Sequence, residues 1–164
     1  MDAAFFRDWL TVAAAVVETQ RDHLTQLDAA IGDADHGINM ARGFGAVTAA
    51  LAQKDPPTPG AVLTLAGVQK LGAAREGEKT MVDALAPAVS ALAKALAEGA
   101  PADDALAALA AAAQEGAQAT ISMQALKGRA SYLGPRSVGH EDPGAASMAL
   151  ILGALRDVAA QQAP

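Results

Sequence analysis

Between Leu27 and Met40 the chain gathers Asp28, Asp33, Asp35, His36 and Asn39 into one short stretch, Leu-Asp-Ala-Ala-Ile-Gly-Asp-Ala-Asp-His-Gly-Ile-Asn-Met. Carboxylates this close raise each other's pKa unless a cation neutralises them. Hard divalent cations such as Mg²⁺ take oxygen ligands, and Mg²⁺ commonly shares them with the phosphates of a substrate. Gly32 and Gly37 bracket the pair Asp33 and Asp35 and let the backbone bend there. Two readings follow. One is a metal–nucleotide site at the start of a helix; the other is an acidic loop that only caps that helix, since Asp is a good N-cap.

A second polar stretch runs from Lys127 to Gly144, Lys-Gly-Arg-Ala-Ser-Tyr-Leu-Gly-Pro-Arg-Ser-Val-Gly-His-Glu-Asp-Pro-Gly. A loop of that length in a small helical domain is usually functional or disordered. Glycines that admit close backbone approach, with arginines beside them, suit a phosphate. One loop thus supplies carboxylates and the other supplies glycines and cations, together a clamp for a Mg-nucleotide. Phosphoryl transfer asks little more of a protein than positioning and charge neutralisation. Neither a Walker-type Gly-x-x-x-x-Gly-Lys-Ser/Thr nor a Gly-x-Gly-x-x-Gly after a strand is present, so a nucleotide site here is of another kind. Each residue also has a plainer reading. His36 either bonds locally at a helix start or contacts a ligand, and His140 either holds its loop together or faces the site. His23 reads as a surface residue, Met81 and Met148 as core. Arg136 and Lys127 are either solvated loop charges or phosphate partners.

The elements that must position these loops read as helices. Of 164 residues 52% are apolar and only 3% aromatic, so the core is Ala, Leu and Val, a composition that favours closely packed helices. A formal charge of -6 argues against general binding to nucleic acid or anionic membrane. Without cysteine there is no disulfide and no thiolate chemistry. Asp2, Arg7 and Asp8 interrupt the N-terminal apolar residues before a signal-peptide core can form, and no uninterrupted apolar run reaches membrane-spanning length. A single cytoplasmic domain over 1–164 is the expectation.

Helical spacing of Phe6, Leu10, Ala13 and Val17, continued by Leu24 and Leu27, predicts one long helix or two collinear ones from Ala3 to about Ala30. A second helix runs from near His36 to about Gln53. The Asp55-Pro56-Pro57-Thr58-Pro59-Gly60 break leads to a third through Leu63, Leu65, Val68 and Leu71. A fourth runs from about Thr80 to Gly99, starting later or kinked at Pro87, and a fifth from Pro101 towards Met123. The last covers Ala145 to about Gln161. No strand alternation and no internal repeat is visible, and the fold class expected is all-α.

Asp28–Met40, Gly77–Leu85 and Lys127–Ala145 jointly resemble the nucleotide-binding L subunit of dihydroxyacetone kinase, in that family's order, over about Phe5 to Leu155. The resemblance implies an antiparallel barrel of amphipathic helices, eight in the family and about six here. It implies two Mg²⁺ held by Asp28, Asp33 and Asp35, and ADP or ATP lined by His36, Gly37, Ile38, Asn39, Gly72 and Met81. From the last loop it carries over Arg129, Asp142, Pro143 and Gly144, with the loop acting as a mobile lid. It implies two partners, a K subunit that holds dihydroxyacetone on a histidine and a phosphohistidine protein of the sugar phosphotransferase system that rephosphorylates bound ADP. This chain would then carry no catalytic residue of its own. One departure stands out: the family's glycine- and serine-rich phosphate loop is lacking, and Thr64–Lys70 runs almost directly to Gly72. That departure keeps two alternatives in view, a non-catalytic partner module of the same fold and the nucleotide domain of a fatty-acid kinase.

Overall fold

The computed structural model describes residues 2–54 and 74–162. In that range lie six α-helices, α1 Ala3–Thr19, α2 Arg21–Ile31, α3 His36–Gln53, α4 Val82–Ala97, α5 Ala102–Ala119 and α6 Pro143–Gln162. Two 3₁₀ segments, Thr120–Ser122 and Arg129–Ser137, lie between α5 and α6, and the described residues contain no strand. The all-α class read from the periodicity is the class of the structure. The helix expected through Leu63–Leu71, and Gly72, lie outside the described residues.

Local chemistry explains where the helices begin and end. Asp2 caps α1 by accepting the amide of Phe5 at 3.0 Å. The long first helix is in fact two, which meet at Gln20. Asp142 caps α6 by accepting the amide of Ala145 at 2.8 Å, and Pro143 takes the first helical position, where a missing N–H costs nothing. That helix therefore starts two residues before the expected Ala145. Pro87 does not delay α4, which begins at Val82 and carries the proline inside.

The α4–α5 hairpin packs on α6, α6 on α1, α1 on α3, and α3 on α2, while α6 touches each of the other five helices. Ala84 and Ala88 of α4, Ala113 and Ala117 of α5, and Ala145 and Ala149 of α6 share one buried cluster. Small side chains let three helix backbones approach closely, so a core with few aromatics packs through backbone proximity. A second cluster joins Phe5 to Leu106 and Val158, and the Trp9 indole donates to the Ile151 carbonyl at 2.9 Å. Alone among the described helices, α6 is long and apolar enough to cross a membrane, and half of it is buried inside this bundle.

Helices α4 and α5 also approach closely. Pro87 has no amide to offer the carbonyl of Asp83, and Gly116 packs directly over that carbonyl; a Cβ at Gly116 would stand 2.2 Å from it. Because the obstacle is backbone, Gly116→Val must push the helices apart despite a better helix propensity. It should lower unfolding stability by about 1–3 kcal/mol, read from urea denaturation. An unchanged midpoint would show that α4 and α5 separate freely.

Candidate functional site

The acidic loop is built around Asp28, in the last turn of α2. Its Oδ2 accepts the amides of Asp35 at 2.9 Å and His36 at 3.2 Å, which folds the chain back into α3. Gly32 is required by this arrangement, since a Cβ there would stand 2.0 Å from Asp28 Oδ1. Ala34, between the other two aspartates, adopts a left-handed φ of 61°, a conformation that non-glycine residues hold only under surrounding constraint. Carboxylate oxygens of Asp28, Asp33 and Asp35 lie within 4.8 Å of one another. Asp35 occupies the N-cap position of α3, yet its side chain makes no capping bond. Its carboxylate is thus left to the cluster, and the all-oxygen donor set with three negative charges fits a hard divalent cation.

Arg129 comes to this cluster from the other loop. Its guanidinium contacts Asp33 and stands 3.9 Å from Asp35 Oδ2. Lys127, Gly128 and Ala130 continue the same wall. Opposite lie Lys79, Thr80 and Met81, and the start of α6 contributes Asp142, Pro143 and Gly144. These surfaces enclose an open cavity of about 320 Å³. His36 belongs to it as well, with Nε2 3.1 Å from the Ser147 hydroxyl. Burial lowers the His36 pKa, against the attraction of Asp28 and Asp35.

Of the residues singled out from the sequence, Asp28, Asp33, Asp35, His36, Met81, Arg129, Asp142, Pro143 and Gly144 thus line one cavity. Gly37, Ile38 and Asn39 are not in its lining. Gly37 is buried against α2, where a Cβ would stand 2.0 Å from the Arg21 carbonyl. Ile38 is half exposed, and Asn39 accepts a bond from Arg42 at the surface. Gly72 lies outside the described residues. Ile31, Thr80 and Lys79 are cavity residues that spacing did not single out. The signal for Lys79 was a lysine that follows Glu76 and Glu78 in a turn, which looks like solvated charge until the fold buries it.

The second loop is not free along its whole length, as a lid from Lys127 to Gly144 would be. The hydroxyl of Ser137 accepts the amide of Ala125, Gly139 donates to the Ile121 carbonyl, and the Asp142 amide donates to Thr120 Oγ1. Ala130 packs with Ile31 and Ala125 in a small apolar cluster. These contacts tie both stems of the loop to the bundle.

Burial pushes the Asp142 carboxyl up to about 6, against the Ala145 amide and the Lys79 ammonium, which both lower it. The folded chain therefore binds this proton more tightly than the unfolded chain. The stabilisation is fully present below the ordinary value of 3.8 and is lost as pH rises through about 6. Thermal melts of Asp142→Asn, whose amide oxygen can still cap α6, should show a flatter stability profile between pH 4 and 6 (roughly the interval of the shift) than wild type. Parallel profiles would show that Asp142 is ionised throughout.

The family model described as the DAK2 domain matches residues 30–67 and 62–157. Its two segments meet where the glycine- and serine-rich stretch is lacking. Over 192 aligned positions the chain is 36% identical to the PEP-dependent dihydroxyacetone kinase ADP-binding subunit DhaL of Escherichia coli K12, covering 88% of this chain and 91% of the relative. That alignment is longer than the chain, so the relative has residues with no counterpart here. The PTS-dependent dihydroxyacetone kinase ADP-binding subunit DhaL of Lactococcus lactis is 33% identical, over 93% and 96% of the two chains. The fold matches the crystal structure of C. freundii dihydroxyacetone kinase in complex with AMP-PNP and Mg²⁺, with a TM-score of 0.64 at 23% identity. The match covers 94% of this chain and 34% of that one, so the chain spans about a third of that kinase. By the reach of the domain match and the identity to full-length relatives, the chain belongs to the DAK2-domain family, among the ADP-binding subunits of dihydroxyacetone kinases.

Proposed function

We propose that this chain is the nucleotide-binding subunit of a dihydroxyacetone kinase, acting only with partner subunits in the cytoplasm. The observation that carries the reading is the meeting of three aspartates and the cationic loop on one cavity, in a family whose relatives are named ADP-binding subunits. Asp28, Asp33 and Asp35 would hold two Mg²⁺, which when bound supply positive charge to the nucleotide phosphates. The remaining work falls to the protein. Asp28, held by two amides, keeps the loop in shape, and the Ser147 hydroxyl orients the His36 ring. Arg129, free to exchange a carboxylate for a phosphate, and Lys127 would face the phosphoryl groups. On this reading the acceptor hydroxyl belongs to dihydroxyacetone held on a K subunit. The phosphate donor on this reading is a phosphohistidine protein of the phosphotransferase system, which matches the PEP- and PTS-dependent names of the relatives.

The lacking glycine- and serine-rich segment favours a second reading, a non-catalytic module that binds nucleotide or a partner without turning over. Reconstitution with K and phosphotransferase partners separates the two. Dihydroxyacetone phosphate forms on the first reading; tight Mg-ADP binding without product leaves the second.

The metal-dependent part is tested by calorimetry. Asp33→Asn should weaken ADP binding by about 10- to 100-fold when Mg²⁺ is present and leave it unchanged without Mg²⁺. Equal ADP affinity in all four conditions would make the acidic loop merely structural. Arg129→Ala should weaken Mg-ADP by about tenfold, the loss expected for one bond to a charged group. Its unfolding stability should move by less than about 1 kcal/mol, because the Arg129 ion pair is exposed. Unaltered Mg-ADP affinity would remove Arg129 from the phosphate site.

A further inference from the structure

Lys79 is 1% exposed, an unusual place for an ammonium. Its Nζ donates to three main-chain carbonyls, Met123 at 3.1 Å, Ser137 at 2.6 Å and His140 at 2.6 Å. An ammonium has three N–H donors, and all three are used. Its own backbone adopts a left-handed φ of 60°, rare outside glycine. Such a conformation persists only where the surroundings over-determine it, typically at a functional site. The turn that carries it is braced from below. The buried Asp83 carboxylate accepts the amides of Gly77 at 2.5 Å and Thr80 at 2.8 Å, and the Glu78 carbonyl accepts the Leu126 amide.

The three carbonyls share a meaning in the chain. Met123 precedes the loop that carries Arg129, Ser137 ends its 3₁₀ segment, and His140 follows it. One ammonium therefore joins the two stems of that loop at its neck. The first residue beyond the neck is Glu141 and the next is the α6 cap Asp142, so the same bonds set where the start of α6 meets the cavity. We propose that Lys79 is a positioning residue: by closing the neck of the 124–139 loop, it places Arg129 over the acidic cluster and the Asp142–Gly144 turn beside it. The proposal rests on the nucleotide reading for its consequence, though not for its geometry.

Two variants and two readouts test it. Lys79→Met keeps the apolar stem and removes the three bonds. In the metal-free chain, hydrogen exchange over 126–139 should speed up while α1 and α5 keep their protection. Mg-ADP affinity should fall by about 10- to 100-fold, as when a partner of a ligand residue is lost. Lys79→Ala leaves room for the missing three carbons and nitrogen, so n-propylammonium should restore both the slow exchange and the affinity. Tetramethylammonium, which has no N–H, should restore neither. Wild-type exchange and affinity in Lys79→Met, or a loss of protection spread evenly over all helices, would overturn the proposal. If neither variant folds, Lys79 is a folding residue and the proposal fails as well. A wild-type chain that binds no Mg-ADP would instead sink the nucleotide reading, while the exchange and rescue measurements still decide the role of Lys79.

Discussion

The structure depends on how negative charge is tolerated at one end of the bundle. Asp28, Asp33, Asp35 and Asp142 line a single cavity, and Asp83 is buried immediately beneath it. Buried carboxylates are tolerated when each has hydrogen-bond donors and opposite charge nearby. The three most buried of them are used in the same way. Asp28 gathers the amides of the α2–α3 bend, Asp83 those of the 77–80 turn, and Asp142 that of the first turn of α6. Each carboxylate thus shapes the turn that brings it to the site. Asp33 and Asp35 are different: half exposed and without capping duties, they keep their charge available. Lys79 answers this charge from the buried side, and Arg129 and Lys127 from the loop opposite.

The scaffold makes that concentration possible through small residues. Alanine and glycine at the contacts of α4, α5 and α6 bring the backbones close, so the N-terminus of α6 arrives beside the 75–81 turn without bulky side chains between them. Central position is why α6 is so apolar. A helix that touches five others buries half its length among them, and its hydropathy reads like a membrane span.

Much of this was legible in the chain and some was not, for physical reasons. Helix α3, expected from near His36 to about Gln53, runs from His36 to Gln53, because an apolar stripe follows a turn-forming loop and a proline cluster comes soon after it. The acidic triad is legible because its members are close in sequence, where spacing alone sets proximity. Pro87 inside α4 was harder, since the residue it packs against, Gly116, lies on another helix. The break at Gln20 has no proline or glycine to announce it. Lys79 is the clearest case of tertiary information. Its three acceptors lie 44, 58 and 61 residues away, and nothing local distinguishes a lysine bound for burial from one bound for solvent. Gly37 shows the converse, since its place in a motif suggested a ligand while its backbone approach to α2 gives it a packing role.

The shortened middle of the chain shifts the burden of holding phosphate. Helix N-termini commonly serve anions through their free amides, and α6 opens onto the cavity. Its first turn, however, is already spoken for. Pro143 has no amide, the Ala145 amide goes to the Asp142 carboxylate, and the Ala146 amide goes to the Asp142 carbonyl. With Asp142 closing that terminus, α6 cannot stand in for a glycine- and serine-rich phosphate loop. Among the described residues, phosphate held at this cavity would depend instead on cations bound by the acidic cluster and on Lys127 and Arg129. Of these, Arg129 is the one already engaged with Asp33, so binding phosphate and filling the acidic cluster are linked. On the proposed reading, a cation entering the cluster would compete with Arg129 for Asp33, and the neck closed by Lys79 would keep that arginine within reach of both.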